Sequence, residues 1–154
     1  MEAKLTELVA RLKAAIPDGL KTVVLYGSAV TGEFRAGHSD LNIVCVVDRA
    51  DAALLEHSHG VADWWIRQGN PAPLFFTQDE LRRSADVFAI ELLDMKLHHR
   101  ILLGTDFLAE FEVPLQLHRL QVCLLYTSPA KRVNFLNVIP GAAFHFVRKR
   151  FHEV

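Results

Sequence analysis

Two cysteines in 154 residues are too few for a disulfide framework. One of them, Cys45, stands inside an apolar run, which fits a reduced thiol in a cytoplasmic protein. Charge of one sign is also lacking. Seventeen Lys and Arg against 18 Asp and Glu leave a formal net charge of -1. Such a balance provides no global field to draw the chain to nucleic acid or to an anionic membrane surface. No apolar run reaches the length of a membrane span. The opening segment "MEAKLTELVARLKAAI" is amphipathic and charged, unlike a secretory signal. No Cys/His array has zinc spacing, and "GSAVTG" lacks the Lys-Ser/Thr that would complete a Walker-type phosphate loop. Internal repeats are absent.

Apolar residues make up 51% of the chain and charged ones 23%, enough for a core and too apolar for disorder. The length suits one domain, or one domain plus a fragment. Leu5, Leu8, Val9, Leu12 and Ile16 recur at helical spacing, and Pro17-Asp18-Gly19 ends that helix. "KTVVLYG" reads as a strand closed by glycine, and "LNIVCVV" as a second strand, apolar on both faces and therefore central. "ADAALLEHSHGVADWWIRQGN" predicts a long helix stopped by Gly69-Asn70-Pro71. "PLFFT" predicts a short strand, and Thr77 an N-cap for a helix beginning "QDELRR". "FAIELLDM" reads as a fourth strand, "RILLG" as a short fifth, and "DFLAEFE" as a short helix. Pro114 is placed to begin a last helix.

From about Cys123 the composition shifts. The segment "CLLYTSPAKRVNFLNVIPGAAFHFVRKRFHEV" holds five Lys or Arg and a single acid, Glu153. Residues 1–122 therefore read as one domain, and 123–154 as a tail of uncertain status. An ordinary basic tail and an aberrant or truncated join both account for the break, and both readings stay open.

The stretch that carries chemistry is "VVLYGSAVTGEFRAGHSDLNIVCVV", Val23 to Val47. Gly27 after a strand lets the backbone turn sharply and approach a ligand. Ser28 is placed to cap a short helix, "AVTGEF", and to offer a hydroxyl and backbone N–H groups to a phosphate. Asp40 and Asn42 share one face of the returning strand, since side chains alternate along it. Oxygen-bearing side chains beside a phosphate-binding corner suit a Mg²⁺-nucleotide site.

These residues resemble a known pattern. "GSAVTGEFRAGHSDLN" is similar to the Gly-Ser, spacer, Ser-Asp-x-Asp element of the DNA polymerase β-like nucleotidyltransferase superfamily. The likeness is to the branch holding the aminoglycoside and minimal nucleotidyltransferases. More loosely, it extends through "FAIELLDMKLHHRILLG", covering roughly residues 20–107. The resemblance implies an α+β fold, a small mixed β-sheet with flanking helices, here expected mainly on one side. It implies Mg²⁺-dependent transfer of a nucleotidyl group from a nucleoside triphosphate to an acceptor hydroxyl on a small molecule or protein. Gly27, Ser28 and Ser39 would bind the nucleotide. Asp40 would bind metal, joined by Asn42 and by a third acid at Glu91, with Asp94 as the other candidate. Asp40 and Glu91 would be the catalytic pair, Glu91 taking the acceptor's proton.

The sequence departs from the pattern at Asn42, where the family has a second carboxylate. An amide oxygen brings no charge to the metal. The alternative reading is a catalytically weakened domain that binds a nucleotide or a partner protein. Other conspicuous residues have plain structural readings. His38 is an exposed loop histidine. His57 and His59, two apart on a helix, do not share a face, and adjacent His98 and His99 point apart. Trp64, Trp65, Phe75 and Phe76 are packing aromatics.

Overall fold

Two strands, each apolar on both faces, organise the core. The computed structural model describes residues 1–31, 40–85, 89–109 and 111. β1 (Leu20–Tyr26) and β2 (Asn42–Val47) pair antiparallel, from Leu20↔Val47 to Tyr26↔Asn42. β3 (Leu74–Phe76) runs parallel to β2, and β4 (His99–Leu103) antiparallel to β1. The sheet is therefore mixed and four-stranded, in the order β3-β2-β1-β4. β2 is interior, as its unbroken apolar run requires.

Alternation along the strands divides the core in two. Val23, Leu25, Ile43, Cys45 and Val47 face one side, with Leu41 just ahead of β2. There they meet Leu5, Leu8 and Leu12 of α1 (Glu2–Ala15) and Leu54, Val61 and Trp65 of α2 (Ala52–Arg67). Val24, Val44 and Val46 face the other side. They meet Leu81 of α3 (Gln78–Ser84), Leu92 and Met95 of α4 (Ala89–Leu97), and Leu108 and Phe111. Each such side chain contributes about 1.5–3 kcal/mol relative to exposure. Helices thus cover both faces rather than mainly one. The sequence reason is in β1 and β2 themselves: apolar on both faces, they leave no face that water can cover.

Local signals explain the helix ends. Asp51 accepts the Leu54 N–H at 3.0 Å and starts α2. Gly69, at φ +86°, takes the left-handed conformation after the last turn of α2. Thr77 and Glu80 form a reciprocal capping box at α3, with Thr77 Oγ1 accepting the Glu80 N–H at 3.2 Å and Glu80 Oε2 accepting the Thr77 N–H at 2.8 Å.

Three expectations are corrected. "FAIELLDM" is not a strand: its described part is α4. Leu92 and Met95, three apart, face the core, while Glu91 and Asp94 are exposed, which is a helical period. "DFLAEFE" forms a turn at 107–109 over its described part, with Asp106 Oδ1 accepting the Ala109 N–H at 3.1 Å. Among the described residues Ser28 caps no helix: it lies inside a 3-10 turn, Gly27–Ala29, and "AVTGEF" beyond Thr31 lies outside the described residues. β4 includes the expected "RILL" and begins at His99. The helix expected from Pro114, Cys123 and the tail 123–154 lie outside the described residues. No helix among the described residues is long and apolar enough to cross a membrane.

Candidate functional site

β1 leaves the sheet at Tyr26, directly opposite Asn42, where β2 begins. Whatever follows Tyr26 and whatever precedes Asn42 therefore emerges from the same end of the sheet. Gly27 and Ser28 follow Tyr26 in a tight 3-10 turn, closed by Val30 N–H donating to Gly27 O at 3.0 Å. Asp40 and Leu41 precede Asn42. Asp40 is exposed, and Gly27, Ser28 and Asn42 are half-buried. Ser39, with Gly32 and His38 of the same loop, lies outside the described residues.

Gly27 is required for two separate reasons. Its φ of +79° is left-handed, a conformation that disfavours any Cβ. A Cβ built there would also stand 3.1 Å from Asn42 Nδ2. The corner and the start of β2 are thus in contact. The left-handed glycine is also why Ser28 does not act as an N-cap. The chain has already turned, the cap position falls on Tyr26, and no side chain caps the turn.

Asn42 belongs to the even-numbered register of Val44 and Val46, so alternation places it on the α3–α4 side. Tyr26 packs against the cluster on that side and is flanked across the sheet by Asn42 and by His99. Burial pushes the Tyr26 hydroxyl up to about 12, so it stays neutral and adds no charge to the site. His99 Nδ1 lies 3.1 Å from Lys96 O, and His99 Nε2 lies 3.1 Å from Asp106 Oδ1. Burial works to raise the Asp106 carboxyl, but hydrogen bonds from His99 and from the Ala109 and Leu108 N–H groups outweigh it and hold it below the usual range.

The other predicted acids are on a helix. Glu91 and Asp94 are on α4, three apart, and so share an exposed side of a helix instead of opposing faces of a strand. Asp94 Oδ1 is 3.0 Å from His98 Nδ1. Glu91 is in the first turn of α4, whereas it is the last turn that leads into His99. None of the four strands carries an Asp or Glu. Among the described residues, no three His, Cys, Asp or Glu side chains gather as a metal-binding group.

Asp40 and Asn42 are therefore the predicted metal ligands whose backbone lies at the corner's end of the sheet. One carboxylate and one amide make no protein cage. They do fit a Mg²⁺ that arrives already held by phosphates, which commonly needs only one or two protein carboxylates.

The remaining conspicuous residues are structural. His57 Nδ1 meets its own helix at Ala53 O, 2.7 Å away, and His59 pairs with Asp63 at 3.4 Å. Trp65 is fully buried, and Trp64 lies under Arg11 at 4.4 Å. A groove of about 670 Å³ opens at the opposite end of the sheet, lined by the segment from Ile16 to Gly19, by Asp48, and by Leu54 and His57 of α2. Two of its three aspartates are engaged: Asp48 with Lys21 at 2.8 Å, and Asp51 as the α2 cap.

One residue beside the site was read from sequence only as part of a helix stop. Asn70 Oδ1 accepts the Leu41 N–H at 3.3 Å. A polar side chain between a left-handed glycine and a proline was the available signal.

No family model matches the chain, and no curated protein matches it by sequence. Solved structures do match. The spectinomycin adenyltransferase AAD(9) of Enterococcus faecialis, solved with ATP and spectinomycin, superposes with a TM-score of 0.56 at 14% identity. The match covers 78% of this chain and 64% of that one. The fold is nucleotidyltransferase-like. This chain corresponds to less than two thirds of the adenyltransferase's length. Weaker matches, which add no weight, include the toxin–antitoxin MntA–HpeT (TM-score 0.47, 16% identity, 79% of this chain and 90% of that one). Another is the tri-AMPylated Shewanella oneidensis HEPN toxin with its MNT antitoxin (TM-score 0.44, 15% identity, 81% and 89%). The nucleotidyltransferase-like fold accounts for the mixed four-stranded sheet flanked by helices.

Proposed function

We propose that this domain binds a nucleoside triphosphate with Mg²⁺ at the Gly27-Ser28 corner and transfers its nucleotidyl group to an acceptor hydroxyl. The observation that carries the reading is the contact between Gly27 and Asn42. It brings a backbone corner free of side-chain bulk against the strand start that bears Asp40. Gly27, Ser28 and Ser39 would bind the phosphates, with backbone N–H groups and hydroxyls as donors. Asp40 and the Asn42 amide oxygen would hold Mg²⁺, which supplies charge neutralisation at the phosphates. Glu91, exposed on α4, would be the third acid and take the proton of an acceptor arriving from solvent. Transfer of this kind depends on positioning and charge stabilisation and needs no covalent nucleophile.

A second reading is favoured by a specific observation: no strand carries a carboxylate, and Asn42 is neutral. A binding domain without transfer, serving a nucleotide or a partner protein, would have the same corner and the same single acid.

The test is calorimetric titration with ATP, GTP, CTP and UTP, each with and without Mg²⁺. Magnesium-dependent binding of at least one is expected, ATP being the first to try because the adenyltransferase of like fold was solved with it. A flat response to all four overturns nucleotide binding and leaves the partner-binding domain. Binding without release of pyrophosphate in the presence of hydroxyl acceptors favours the second reading.

A further inference from the structure

We propose that Asn70 is a positioning residue for Asp40, acting through the backbone of Leu41; this rests on the nucleotide-site reading above. β2 gains its first partner in β1 at Asn42, and its pairing with β3 begins only at Val44. Leu41 precedes both ladders, yet its side chain is buried at 4% exposure. The Leu41 N–H finds its acceptor in Asn70 Oδ1. That bond extends the hold on the strand by one residue, to the peptide joining Asp40 to Leu41. The direction in which Asp40 leaves the sheet follows from it.

Asn70 is itself held. Gly69 before it is left-handed at φ +86°, and Pro71 after it restricts Asn70 to extended backbone. The side chain is therefore presented from a fixed frame across the mouth of β2.

Asn70 Nδ2 is buried and, among the described residues, has no hydrogen-bond partner. An orphaned buried donor costs stability. An aspartate at the same place would accept the same bond, but its second carboxylate oxygen would be buried and unpaired in turn, and charged. It would also put a second negative charge behind the segment that bears Asp40. A neutral acceptor, kept in spite of its idle amide nitrogen, holds the segment while leaving Asp40 the local anion.

Two variants test this, Asn70→Ala and Asn70→Asp, each in the full chain. The first readout is the Mg²⁺ concentration for half-maximal ATP binding, measured well below the melting temperature. Asn70→Ala is expected to raise it about fivefold or more. Asn70→Asp restores the acceptor and adds a negative charge, so it is expected to lower that concentration well below its value in Asn70→Ala, since one hydrogen bond of ordinary strength corresponds to roughly tenfold in equilibrium. The second readout is amide hydrogen exchange at Leu41, which needs no ligand. It should speed up about tenfold in Asn70→Ala and recover in Asn70→Asp. Unchanged Leu41 exchange in Asn70→Ala overturns the proposal whether or not nucleotide binds. So does a lower melting temperature with an unmoved Mg²⁺ midpoint in a native chain that binds ATP. A native chain that binds no nucleotide, with Leu41 exchange behaving as expected, defeats the nucleotide reading, and with it any action of Asn70 on a metal ligand, while the hold on Leu41 stands.

Discussion

Asn42 fills the space from which Gly27 excludes a side chain: its amide nitrogen lies 3.1 Å from where a Cβ on Gly27 would be. Gly27→Ala must therefore meet both an unfavourable backbone hand and a crowded neighbour. The hand alone costs about 1–2 kcal/mol. Urea unfolding should show at least that loss, together with weaker Mg-ATP binding. An unshifted urea midpoint would contradict the geometry of the corner.

Asn42→Asp returns a carboxylate to the position the family pattern fills with one. If the corner holds Mg-nucleotide, the added charge should strengthen Mg²⁺-dependent binding. It should also speed transfer, by roughly 100–1,000-fold for a group that stabilises developing charge directly. Pyrophosphate release is the measurement. Equal rates in the two proteins would show that residue 42 does not face the metal. A gain of both binding and transfer in the variant, beside a native chain with neither, would leave the native chain a non-enzyme.

Gly60 lies mid-way along α2, and a Cβ added there meets nothing within 4 Å. Gly60→Ala should stabilise the protein by about 0.5–1 kcal/mol, mainly by restricting the unfolded chain. A higher urea midpoint with an unchanged slope is expected. A lower midpoint would contradict the open space beside Gly60.

Thr77→Ala removes half of the α3 capping box while leaving the Glu80 carboxylate in place. The expected loss is about 1 kcal/mol. Thr77→Ser, which keeps the hydroxyl, should recover most of it. Equal losses in the two variants would assign the effect to the Thr77 methyl group, not the cap.

Asp106 provides an acid-side test. Its folded carboxyl is held below the ordinary range, so the ionised form adds stability at pH above its unfolded value, about 3.9. That stability is lost as pH falls from there through the lower folded value. Asp106→Asn should be less stable than the native chain at neutral pH, with the gap between their urea midpoints closing as the pH is lowered below about 4. A gap that stays constant from pH 7 to pH 3 would remove the carboxylate's charge as the cause.

What was legible in the sequence follows from how local each signal is. β1, β2, β3, α1, α2 and the Thr77 cap each rest on a few neighbouring residues, and they form where their patterns put them. "FAIELLDM" failed because a short apolar run with acids three apart satisfies two periods. The choice fell to the uncovered face of the sheet, which α4 occupies with Leu92 and Met95. The same long-range demand explains helices on both faces. At the site, Gly27 was readable because a left-handed corner needs glycine. The role of Ser28 as a cap was not, since the corner's hand is a backbone property. Glu91 was placed by likeness to a strand that proves to be a helix. Asn70 was invisible as a partner of Leu41, because 29 residues separate them and only the folded sheet brings them together.

β3 has a consequence for how the molecule meets its own copies. At three residues, it gives the sheet an outer margin too short to template an intruding strand. The opposite margin, β4, carries Arg100 clasped to Glu2 at 3.0 Å, and an approaching apolar β-segment would have to displace that charge from water. Among the described residues, neither border offers a long apolar edge to a neighbouring strand, although the two inner strands are almost wholly apolar.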